Sequence, residues 1–207
     1  SLPELATSIA GVFKGESEIV VANVVGSNIT NIALVLGLVA ILVGELKVPE
    51  SLWKIDLPFL LGSSFLLFFV LQDLHFSLLE GLLFLAGIVI FLFYSLRSDE
   101  DNDEEFRERA SIKTYVKLVV AGVFVWVSAD FTIVAITALS SEMGISTEVI
   151  GLTMVALGTS LPEVIVSLNA ARKGKTSIAI GNVLGSNIFN TYAVMSIPSF
   201  FGDLSIP

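Results

Sequence analysis

Residues 19–44 and 176–202 contain no charged side chain. Either run can cross a hydrocarbon layer of about 30 Å, which takes about 20 apolar residues as a helix. Lipid offers no partner to a bare N–H or C=O, so a spanning segment must satisfy its backbone internally, as a helix does. The rest of the chain agrees: of 207 residues 54% are hydrophobic and only 15% charged, with mean hydropathy +0.87, against about 25% charged in soluble domains. The expected fold class is all-α, a polytopic membrane helix bundle in contact with the lipid bilayer. With no cysteine, disulfides and thiolate metal sites are excluded.

Seven segments are expected, near residues 1–13, 19–44, 55–72, 76–96, 114–139, 149–171 and 177–201, the first too short to span. An acidic stretch, SDEDNDEEFRERAS, fills residues 98–111. If the segments alternate in direction, the loops on one side hold Lys47, Lys54, Arg97, Arg107, Arg109, Lys113, Lys117, Arg172, Lys173 and Lys175, and those on the other hold only Lys14. Basic residues collect in cytoplasmic loops while acids count for little, so the acidic stretch is expected in the cytoplasm of an integral protein of the cell membrane.

The polar content of the apolar segments is repeated. NVVGSNITN at residues 23–31 returns as NVLGSNIFN at residues 182–190, an offset of 159 positions. At that offset residues 1–31 lie over 160–190 without a gap, and 15 of 31 pairs are identical, including SLPE and the Lys-Gly of each turn. Five crossings, an odd number, separate the copies, so they are inverted relative to each other. Inverted repeats with interrupted helices place a binding site near the midplane, between the copies. The expected division is 1–97 for the first repeat, 98–112 for a linker and 113–207 for the second.

Glu4 and Glu163 are equivalent, each directly after a proline in an apolar helix. A carboxylate at membrane depth costs on the order of 2.5–3.5 kcal/mol and marks an ion or proton path. Pro3 and Pro162 each remove a helical hydrogen bond, which is expected to kink the helix and free carbonyls beside the acid. Ser27 and Asn31 share a helix face, as do Ser186 and Asn190. Thr159 and Ser160 stack with Glu163, and Ser1 with Glu4. Gly26 and Gly185 are expected to admit a close backbone, with Gly181-x-x-x-Gly185 as a packing face. A lone Ser or Thr in a helix more often bonds back to the i−4 carbonyl; beside an acid in both copies it reads as coordination. Carboxylate, hydroxyl, amide and carbonyl oxygens suit a hard cation such as Ca²⁺ and not a soft transition metal.

GTSLPE at residues 158–163, followed by GN-x-x-GSN-x-x-N at 181–190, resembles the α-repeats of the cation/Ca²⁺ exchanger superfamily, closest to its sodium/calcium exchanger branch. The first copy lacks the Gly-Thr that should precede Ser1. The resemblance implies ten membrane helices, of which this chain would run from the middle of the second through the eighth, truncated at both ends. It implies a Na⁺/Ca²⁺ antiporter working by alternating access, not an enzyme. Glu4 and Glu163 would be the central carboxylates, Ser1, Thr159, Ser160, Ser27 and Ser186 would supply hydroxyl oxygens, Asn31 and Asn190 amide oxygens, and Ala156 a backbone carbonyl just before a break at Gly158. Some relatives carry Asp in place of Asn190, which disfavours potassium coupling here. A Ca²⁺/H⁺ antiporter is the alternative; the proton branch shows Gly-Asn-x-x-Glu in place of GTSLPE. A passive cation channel fits the kinked repeat less well. Substrates are the ions Ca²⁺ and Na⁺. No cofactor, nucleotide or nucleic acid is expected, and no Gly-rich phosphate loop is present.

Asp130 is expected to be a third buried acid, as a proton relay or a packing partner. Glu80 is expected at a segment end and Trp53 at an interface, with Trp126 packed inside the bundle and His75 alone in a loop. The acidic stretch reads as a solvated linker rather than a Ca²⁺ regulator.

Overall fold

The structure is a computed structural model that describes residues 1–44, 46, 48–50, 52–100 and 111–205. The acidic stretch lies almost wholly outside the described residues. We number the helices α1 (Leu2–Phe13), α2 (Glu18–Val43), α3 (Leu52–Asp73), α4 (Leu78–Glu100), α5 (Ile112–Met143) and α6 (Thr147–Arg172). The seventh, α7, begins with Thr176–Phe189 and runs on through Asn190–Val194 and Met195–Ser199. Five of these, α2 to α6, are long and apolar enough to span a membrane. α1 is too short, as expected. α7 is not among the five, and its interior carries Asn182, Asn187 and Asn190.

Three helices are interrupted. α2 widens into a π turn at Asn31–Leu36, and α7 does the same at Asn190–Val194. These begin at equivalent positions of the two copies. π turns inside α-helices often mark functional sites. α6 has a π turn at Gly151–Val155 and then breaks at Ser160, where the helix restarts at Leu161. The break thus falls two residues after Gly158, its expected position. Pro162 sits in the first turn of the helix that restarts at Leu161, where a missing N–H costs nothing. Pro162 therefore starts a helix after the break rather than kinking a continuous one.

The turn that closes each hairpin is the same object twice. Lys14 N–H donates to the Ala10 and Gly11 carbonyls, Gly15 N–H to Val12, and Glu16 N–H to Gly11. Lys173, Gly174 and Lys175 make the corresponding bonds to Asn169, Ala170 and Ala171, all at 2.9–3.3 Å. Gly15 and Gly174 have φ of 79° and 72°, the left-handed region that ends helices at glycine.

The copies run in opposite directions. α1 and the second half of α6 start side by side, where Ser1 meets Glu163. α1 then runs to the end of the bundle where α2 begins, and Phe13 stacks on Phe201 with ring centroids 5.4 Å apart. The second half of α6 runs the other way, and Ala171 packs with Val39 near the far end of α2. At the Phe13 end, a short antiparallel pair joins β1 (His75–Phe76) to β2 (Leu204–Ser205). His75 is thus a strand residue, and its N–H donates to Asp73.

The main core joins α2, α3, α4 and α7 around Val24, Phe84, Ile188 and Met195, all fully buried. A second cluster fastens α5 through Ala129, Ile133 and Ile136 to Ala6, Ala10 and Ile19. Ser77 and Glu80 form a capping box at the start of α4, with Ser77 N–H donating to Glu80 at 2.6 Å. Trp53 is exposed, as an interface anchor should be. Trp126 is also exposed, a correction to its expected packing role. Many other large apolar side chains on α3, α4 and α5 face outward, as a bilayer solvent allows.

Candidate functional site

Glu4 is fully buried and Glu163 is 5% exposed. The backbone nitrogen of Ser1 lies between them, 2.8 Å from Glu163 Oε1 and 3.9 Å from Glu4 Oε2. The two acids therefore converge on a point that one cation can serve. Ser1 Oγ also reaches Glu163 Oε1 and the Ser186 carbonyl, both at 3.5 Å. Among the described residues, no group of three or more His, Cys, Asp or Glu forms a metal cluster. The site's charge thus comes from two carboxylates, and its remaining donors are neutral oxygens.

The other candidates divide into those that the structure joins to this point and those that it places nearby with unused atoms. Ser27 and Thr159 approach each other at 3.5 Å. Ser27 Oγ donates to Asn23 Oδ1 at 3.4 Å, and Thr159 Oγ1 lies 3.5 Å from the same oxygen. Asn23 Nδ2 in turn donates to the Glu4 carbonyl and to Ser8 Oγ, each at 3.1 Å. Thr159 also donates to the Val155 carbonyl at 3.0 Å, the i−4 bond expected of a lone helical threonine. Ser160, Asn31 and Asn190 are fully buried. Ser160 Oγ, Asn31 Oδ1, both side-chain polar atoms of Asn190, both Glu4 carboxylate oxygens and Glu163 Oε2 have no hydrogen-bond partner. A buried carboxylate without a partner is costly, so this set of orphaned oxygens fits a cation. The Ala156 carbonyl already accepts from Ser160 N–H at 3.1 Å and lies 3.4 Å from Thr159 Oγ1. The Ser186 side chain is half-buried, and its carbonyl is the atom that meets Ser1.

Two clefts flank the site. One of about 430 Å³ runs between α1, α5 and α6 and reaches Pro3, Thr7, Gly158 and Thr159. The other, of about 420 Å³, is lined by Ser1, Gly181, Asn182, Gly185, Ser186 and Phe189.

Two expectations need correction. Asp130 is not a buried acid: its side chain is 54% exposed and receives Lys14 Nζ at 2.7 Å. It lies outside the carboxylate centre and pairs with Lys14. Gly26 does admit a close neighbour, since a Cβ there would collide with the Leu152 carbonyl and with the Ala156 Cβ. Gly185 faces open space, and Gly181 meets only Leu52 at 3.8 Å.

Sequence reasoning passed over Asn23 and its equivalent Asn182, whose Nδ2 donates to Ser167 Oγ at 3.0 Å. The two bonds match, because Ser8 and Ser167 are also equivalent. It likewise passed over Asn28 and Asn187. All four asparagines are identical pairs at the 159-residue offset, which is the signal that could have found them.

The profile of the family described as sodium/calcium exchanger protein matches residues 1–97 and 113–207. The chain is similar to the sodium/calcium exchanger MaX1 of Methanosarcina acetivorans, 32% identical over all of this chain and 71% of that protein. It is 31% identical to the inner membrane protein YrbG of Escherichia coli over 96% of this chain and 65% of that one. Among solved structures it resembles the sodium-calcium exchanger NCX_Mj soaked with Na⁺ and Sr²⁺. That match has TM-score 0.72 and 32% identity, and covers 100% of this chain and 68% of the other. The chain spans about 65% of the length of the first curated relatives it matches. Inverted copies, interrupted helices and paired buried carboxylates agree with these likenesses in sequence and in fold: the chain belongs to the sodium/calcium exchanger protein family.

Proposed function

We propose that the two copies hold the ion site of a secondary active antiporter that exchanges Na⁺ for Ca²⁺ by alternating access. The observation that carries this reading is the convergence of Glu4 and Glu163, taken from the same position of two inverted copies, on one point among partnerless buried oxygens. Two carboxylates balance one Ca²⁺, whose shell of about six to eight oxygens would draw on Ser1, Ser27, Thr159, Ser160, Ser186, Asn31, Asn190 and the Ala156 carbonyl. Na⁺ ions would take the same oxygens once Ca²⁺ has left. The bundle would rock about this fixed centre, opening it to one side at a time. We place the protein in the cell membrane with the basic loops and the acidic stretch in the cytoplasm, following the bias of basic residues.

The test uses the full-length protein in sealed liposomes loaded with Na⁺ and diluted into Na⁺-free buffer, with ⁴⁵Ca²⁺ uptake as the readout. Uptake that requires internal Na⁺ and is lost in Glu163→Gln is expected. Uptake that follows only a pH gradient would move the protein to proton coupling. Flux without either counter-ion would make it a channel.

A further inference from the structure

Beside the carboxylate centre, three asparagines from the two copies meet where α2 crosses α7. Asn187 Nδ2 donates to the Asn28 backbone carbonyl at 3.2 Å. Asn31 Nδ2 donates to Asn187 Oδ1 at 2.9 Å. Asn28 Nδ2 donates to Thr191 Oγ1 at 2.9 Å. Asn31 is fully buried and Asn187 is 1% exposed.

The orientation of this chain of amides follows from its first bond. A backbone carbonyl only accepts, so the nitrogen of Asn187 must face Asn28. The oxygen of Asn187 therefore faces Asn31, and Asn31 must answer with its NH₂. Its own Oδ1 is then turned away, and it is one of the buried oxygens without a partner. We infer that Asn187 is a positioning residue that fixes the Asn31 carboxamide with its oxygen toward the ion. This rests on the antiporter reading above, in which Asn31 is a ligand.

The mirror-related arrangement is not built. Asn190 would have to donate to Asn28 Oδ1, yet both Asn190 polar atoms and Asn28 Oδ1 are unpartnered. The anchor of Asn28 is a hydroxyl, which can donate or accept, so it sets no direction. The equivalent of Thr191 in the first copy is Ile32, and the asymmetry is therefore written in the sequence. Of the two asparagine candidates, only Asn31 is preset as an oxygen donor.

The test measures the Ca²⁺ concentration for half-maximal ⁴⁵Ca²⁺ uptake, and the maximal rate, in liposomes holding full-length wild type, Asn31→Leu, Asn187→Leu and the double variant. Asn187→Leu is expected to raise the half-maximal concentration roughly tenfold, about the worth of one good hydrogen bond, with little change in maximal rate. The double variant should be no worse than Asn31→Leu alone, since Asn187 acts through Asn31. Additive losses, or no loss in Asn187→Leu, would overturn the inference while leaving the carboxylate site standing. An unaffected Asn31→Leu would overturn both this inference and the place of Asn31 in the site. If Asn187→Leu does not fold, Asn187→Asp serves. When protonated, its carboxyl can donate to the Asn28 carbonyl and accept from Asn31, so its affinity should approach that of wild type as pH falls. A bare charge effect would move the ratio in the opposite direction.

Discussion

Asn23 ties three groups together: its nitrogen holds the Glu4 carbonyl and Ser8, and its oxygen accepts from Ser27. Removing it takes a hydrogen-bond partner from two buried hydroxyls, which costs about 1–3 kcal/mol. Asn23→Leu is expected to lower the thermal unfolding temperature of detergent-solubilised protein and to weaken Ca²⁺ binding, while retaining both carboxylates. Glu4→Gln and Glu163→Gln should each abolish exchange, measured as Na⁺-dependent ⁴⁵Ca²⁺ uptake, because one remaining carboxylate leaves a divalent ion half-neutralised. At this scale the sequence was informative where chemistry is repeated. Glu4 and Glu163 stood out because an ionisable group in an apolar helix is conspicuous and both copies have one. Asp130 was misread for a physical reason: a helix sequence shows that an acid lies at membrane depth, but not that Lys14, on another hairpin, reaches it. Asn23 escaped notice because its task is to hold other ligands' atoms, and composition alone does not separate that from coordination.

The elements are specified mostly by short local signals. Helix limits fall within a few residues of the apolar runs, since lipid requires helix there and loops carry the charges. The π turns at Asn31 and Asn190 have no comparable signal; they follow from packing in the assembled bundle. Gly26 is where the backbones of α2 and α6 touch. Gly26→Val is expected to force them apart and destabilise the fold by about 1–3 kcal/mol. Gly15→Ala is expected to cost about 1–2 kcal/mol, because a Cβ disfavours the left-handed conformation although nothing lies within 4 Å of it. Thermal unfolding of these two variants separates steric contact from backbone strain.

For the whole molecule, alternation of helix direction explains contacts that are remote in sequence. Phe13 can pack on Phe201, and β1 can pair with β2, only if the first and third connections and the segment after α7 lie at one end of the bundle. Since the chain has no cysteine, single cysteines at positions 75 and 174 would map this directly. The two sites are expected to label from opposite sides of sealed vesicles with a membrane-impermeant maleimide. This architecture was legible because an odd number of crossings between identical copies forces inversion. The partition of the site into direct and supporting residues was not, since it depends on which side chains meet between helices.

The matching turns of the two hairpins also bear on how the protein is made. Each hairpin closes with the same four backbone hydrogen bonds whichever way it points, so its local fold carries no record of the side of the membrane on which it was inserted. By the bias of basic residues toward the cytoplasm, that record is expected in the flanking charge: Lys14 alone at one turn, against Arg172, Lys173 and Lys175 at the other. During biogenesis the ancestral unit could therefore acquire both orientations through a few Lys and Arg substitutions. The same substitutions, placed at the first turn today, would send that hairpin through the membrane the wrong way without unfolding it.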